Sequence, residues 1–152
     1  MQVETLEDVL HWTGQFHKQL SICLDHCADR HLQERASLLL EFLARHEAQL
    51  STLLEAFARS SEAKVLHTWC YEYLDRKPIV QHRHCHAPYT ELDTPQIIDV
   101  ILEQHEQVID LYKYLLSRAE TPEVRELLSS LVALEEEAVR SMIDGANRLE
   151  DI

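Results

Sequence analysis

The phrase ARHEAQLSTLL, residues 44–54, sets His46 and Glu47 among leucines, and EQHEQVID repeats the pair as His105 and Glu106. Imidazole and carboxylate together are ligand chemistry for first-row divalent metals, with iron, manganese and zinc the fitting ions. The neighbours three, four and seven residues away show where each group points. His46 has Leu39, Phe42, Leu43, Leu50 and Leu53 around it, and Glu47 has Leu40, Leu43, Leu50 and Leu54. His105 lies among Ile98, Ile101, Leu102, Val108, Ile109 and Tyr112, and Glu106 between Leu102 and Ile109. Of the three glutamates at 135–137, Glu135 is the most inward, next to Leu128, Leu131, Ala138, Val139 and Met142. Breaking a buried ion pair costs about 3–5 kcal/mol, so such groups must pair, bind a metal or reach water. His46, Glu47, His105, Glu106 and Glu135 are therefore expected to share a central polar layer. The layer reads either as a hydrogen-bonded network without metal or as a metal site, and no catalytic residue is assigned. His17, between Leu10, Thr13, Leu20 and Leu24, is a further candidate for the layer, left out of the metal set because it lies nearer its turn.

A second group, QHRHCHAPY, holds His82, His84, Cys85 and His86. Alternating histidines project to one side of an extended segment and suit Zn, Ni or Cu(II), with His67 nearby in sequence. No zinc-site spacing is matched, and a solvated loop has the same composition.

These groups need helices to position them. With two glycines and four prolines in 152 residues, and apolar residues at helical spacing, the chain reads as all-α and as one domain, 1–152. Thr5 with Asp8 forms a capping-box pattern that opens a first helix over 5–28. A short turn leads to a second over 31–60, with Leu32, Ala36, Leu39, Leu43, His46, Leu50, Leu53 and Phe57 inward. The phrases LDTPQIIDV and AETPEVREL each read as a Thr N-cap followed by Pro, opening helices over 95–118 and 122–149. Short turns make each pair antiparallel, and the connection over 61–93, with a short helix near 62–74, is a long crossover. His105 and Glu135 lie about fifteen residues on either side of their turn, hence level with each other.

Two antiparallel pairs joined by one crossover, with LLEFLARHEAQLSTLLEAF and VILEQHEQVIDLYKYL, resemble the ferritin-like superfamily, in particular small rubrerythrin-like bacterial proteins. The resemblance covers essentially the whole chain. It implies a four-helix bundle with a di-iron centre made of one Glu and one Glu-x-x-His per helix pair. Glu47, Glu106 and one of the 135–137 glutamates match that pattern. Both ligand histidines are missing, since Leu50 follows Glu47 and Ala138 follows Glu135 at the required spacing, and Thr13 falls where the first helix should give a glutamate. A hemerythrin-like reading fails because the spaced pair His82 and His86 lies between two prolines.

The surface carries 27 acidic against 14 basic side chains, which disfavours nucleic acid and anionic lipid as partners. No basic leader and no membrane-length apolar run is present, so the expected location is the cytoplasm. There Cys23, Cys27, Cys70 and Cys85 are expected as reduced thiols. A homodimer through helix faces and an unidentified protein partner are the partner expectations. The function expected is that of a non-catalytic or regulatory bundle with a degenerate di-iron site, or alternatively of a metal-binding oxidoreductase or metal-handling protein.

Overall fold

The structure is a computed structural model that describes residues 4–70 and 89–151. Its described residues are all-α: α1 (Leu6–Ala28), α2 (Glu34–Ser60), the short α3 (Ala63–Leu66), α4 (Thr94–Arg118) and α5 (Pro122–Glu150). An isolated antiparallel bridge joins Thr5 to Trp69, and Leu6 N and Cys70 N donate to Thr68 O and Glu4 O, each at 2.8 Å. No helix among the described residues is long and apolar enough to cross a membrane.

The helix starts follow local side-chain chemistry. Thr5 and Asp8 form a reciprocal capping box ahead of α1. At α4 the cap differs from the sequence expectation: Asp93, paired with Gln96, caps the helix, and Thr94 is its first residue. At α5 the preceding residue is Glu120, too long to cap, and Thr121 takes that role with Pro122 first in the helix. The second helix starts at Glu34 rather than 31, because His31 serves the turn: Gln33 N–H donates to its Nδ1 at 3.0 Å, and its Nε2 donates to Leu92 O at 2.8 Å. Leu32, expected inward, is 99% exposed in that turn.

The α1–α2 pair is antiparallel, as Ser37 Oγ to Ala28 O, Ser21 Oγ to Ala44 O and Ser51 Oγ to Gly14 O show along its length. α4 packs on α5, and α2 touches both. The buried stripe of α2 is Ala36, Leu39, Leu40, Leu43, Ala44, Glu47, Leu50, Ser51 and Leu54. It is turned by about one residue from the expected stripe, so Leu53 is 46% exposed and His46 only half-buried.

The second helix pair repeats the first. Adding 88 to the first residues of α1 and α2 gives the first residues of α4 and α5, and adding it to the Thr5–Asp8 cap gives Asp93–Gln96. Within LLEFLARHE and LLSSLVALE, Leu39, Leu40, Leu43 and Glu47 correspond to Leu127, Leu128, Leu131 and Glu135.

Candidate metal centre

Each long helix contributes one polar side chain at the centre of the core: His17 from α1, Glu47 from α2, His105 from α4 and Glu135 from α5. Each sits on its helix's buried stripe, one turn from apolar residues such as Leu20, Leu43, Leu50, Ile101, Val108 and Leu131. All four are 0% exposed.

The four close into a ring. His17 Nδ1 stands 2.6 Å from Glu47 Oε2, and His17 Nε2 stands 2.7 Å from Glu135 Oε1. His105 Nδ1 stands 2.9 Å from Glu135 Oε2, and His105 Nε2 stands 2.5 Å from Glu47 Oε1. Exchanging the helix pairs exchanges these contacts atom for atom, so the ring has an approximate two-fold axis. The imidazoles lie 5.0 Å apart between centroids, and Phe16 meets His17 edge-on at 5.3 Å.

The proton count follows from the contacts. All four ring nitrogens face carboxylate oxygens, and a nitrogen lone pair against an anionic oxygen would repel it. Both histidines therefore carry two N–H protons, and two imidazolium cations balance two carboxylate anions with no net buried charge. Burial favours the neutral imidazoles, but the Glu135 and Glu47 carboxylates reverse this and hold His17 up to about 9. The same opposition, with Glu47 foremost among the charges, holds His105 up to about 10. For Glu47 burial raises the pKa, yet the imidazoliums of His105 and His17 bring it down to about 2. Glu135 is lowered by the same balance.

One atom from each of His17, His105 and Glu135 lies within 4.8 Å of the others, a grouping able to hold a metal ion. Glu47 stands outside that grouping, but its two oxygens contact both histidines, so a shift of its side chain would bring it in as a fourth donor. Of the five core residues expected from sequence, Glu47, His105 and Glu135 come together. His46 and Glu106 do not join them: His46 is half-buried with its ring 4.5 Å from that of Phe42, and Glu106 is exposed. Burial, the largest influence, lowers the His46 pKa. Glu136 and Glu137 also turn outward, towards Lys113 and Arg140. The HE doublets misled because adjacent helical residues point about 100° apart, so only one of each can enter the ring.

His17, a candidate for the polar layer not counted among the metal residues, completes the ring and occupies the level expected for Thr13. Its signal was available: His17 precedes Glu47 by 30 residues, as His105 precedes Glu135. His82, His84, Cys85 and His86 lie outside the described residues. No family model, curated protein or solved structure matches the chain.

A di-iron centre does not fit the ring. The positions three residues after Glu47 and Glu135 hold Leu50 and Ala138, and Glu106 is outside, leaving four donor residues where the paired-metal pattern uses six.

Proposed function

We propose that the chain is a metal-binding helical protein of ferritin-like layout whose His17–Glu47–His105–Glu135 ring binds a divalent first-row cation. The observation carrying this reading is the ring itself: two imidazoles and two carboxylates, one from each long helix, meet in a fully buried position. Such a set costs desolvation that apolar residues of the same size would avoid. A divalent cation replacing two ring protons leaves the buried charge at zero. The chemistry of the donors suits zinc, iron or manganese.

The test is elemental analysis of untagged protein purified without a nickel column, followed by thermal unfolding of stripped protein with added Zn(II), Mn(II) or anaerobic Fe(II). Stoichiometric metal, a rise in Tm with one of these ions, and loss of both in Glu135→Gln are the expected results. Folded protein that takes up none of the three overturns the reading.

A second reading treats the ring as a polar core without metal in a non-catalytic bundle that acts through a second copy or another protein. The exposed leucines of α2, Leu38 and Leu53 at 46% each, favour it, as does the groove lined by Ala48, Gln49, Thr52 and Leu53. Concentration-dependent sedimentation of wild type and Leu53→Glu checks it, with a weaker dimer in the variant as the expected outcome.

A further inference from the structure

Resting on the metal reading, we infer that the ring takes a single four-coordinate cation of the zinc type and leaves it no open position. The ring contains four ring nitrogens and four carboxylate oxygens, each nitrogen against one oxygen at 2.5–2.9 Å. Once Glu47 shifts to join the His17, His105 and Glu135 grouping, a cation bound through one nitrogen of each histidine and one oxygen of each glutamate uses half of them. Two ring N–H groups and two carboxylate oxygens remain, and these still pair with one another. Each glutamate then binds the cation with one oxygen and orients a histidine with the other, an outer-sphere bond that metal-ligating histidines ordinarily need. No donor is left over and none is left unsatisfied.

Among the described residues, no His, Cys, Asp or Glu outside the ring joins its ligand grouping. Among the nearest polar groups, Thr13 donates to Val9 O at 3.0 Å and receives the Tyr112 hydroxyl at 2.7 Å. His46, Glu106, Glu136 and Glu137 face away from the core. The groove at Ala48 and Thr52 opens on the exposed side of α2. Closed four-coordinate sites are structural, whereas a catalytic zinc keeps one position for water or substrate. The cation of this ring therefore ties four helices together and does not activate oxygen or water.

The experiment is titration of stripped wild-type protein with cobalt(II) under anaerobic conditions, read by visible absorption and by metal content. One cobalt per chain is expected, with the intense visible bands of four-coordinate cobalt(II), displaced by one equivalent of zinc and unchanged by azide. Glu47→Gln and Glu135→Gln should each weaken binding by more than about a hundredfold, beyond the roughly 10- to 100-fold loss of an outer-sphere partner alone. His46→Gln and Glu106→Gln should leave the spectrum intact. Two ions per chain, the pale spectrum of six-coordinate cobalt, or an azide-induced shift overturns the closed single site while leaving metal binding standing. Failure to bind cobalt, zinc, iron or manganese overturns both.

Discussion

His17 and His105 make the stability of the metal-free protein depend on pH in a defined direction. Their folded pKa values, about 9 and about 10, lie above the ordinary 6.5. Their contribution is complete below about pH 6.5 and is lost as pH rises through about 9 and 10. Glu47, lowered from 4.5 to about 2, contributes above about pH 4.5 and loses that contribution as pH falls through about 2. Denaturant unfolding of chelator-treated protein should show a plateau from about pH 4.5 to 6.5. Above it, stability should fall by about 1.4 kcal/mol per pH unit for each ring proton lost. Substitution separates the ring's cost from its worth. Glu47→Ala leaves both buried imidazoliums short of a partner and should cost about 3–5 kcal/mol. Replacing His17 and His105 by Leu together with Glu47 and Glu135 by Met should recover most of that loss, abolish the alkaline decline and bind no metal. A quadruple variant less stable than Glu47→Ala would show that the ring is worth more than an apolar core.

The helices were legible where a side chain acts on its own backbone or where a stripe repeats. Thr5 with Asp8 and Thr121 with Pro122 mark their helix starts through bonds spanning three residues. At α4 the Thr-Pro pattern pointed to Thr94 although Asp93 is the cap, because both can cap and only the reciprocal bond with Gln96 favours Asp93. The one-residue rotation of α2 was harder to read, since Leu53 and Leu54 are chemically alike and only packing selects Leu54. Packing between α2 and α5 has its own signature. A Cβ at Gly145 would run into the ring of Phe42, which also rests on His46. Gly145→Ala should therefore cost about 1–3 kcal/mol in the wild-type chain. In a Phe42→Ala background the same change should stabilise by about 0.8–1 kcal/mol, the helix preference of Ala over Gly, and paired denaturation curves would show the reversal of sign.

At the scale of the molecule, the all-α class followed from composition and spacing, and three of the four ring residues followed from the apolar neighbours of Glu47, His105 and Glu135. His17 did not, because depth measured from a turn is a poor guide to level when the two helices of a pair are compared one at a time. Comparing the two pairs with each other would have placed it, since the 88-residue shift carries His17 to His105 as it carries Glu47 to Glu135. The halves are not identical. Thr13 and Tyr112, joined by a 2.7 Å hydrogen bond, correspond to Ile101 and Leu24, so one side of the ring has a polar tether where the other is apolar. The division of the ring between hairpins also orders events in time. Either hairpin alone holds one histidine and one glutamate, and two of the four contacts exist only once the hairpins have met. The two contacts between hairpins, His17 with Glu135 and His105 with Glu47, are expected to form after the folding barrier. Stopped-flow chevrons of metal-free Glu135→Gln should show most of the loss in an accelerated unfolding rate, a low φ-value at the chemical centre of the protein, with any slowing of folding coming from its contact with His105 inside the second hairpin.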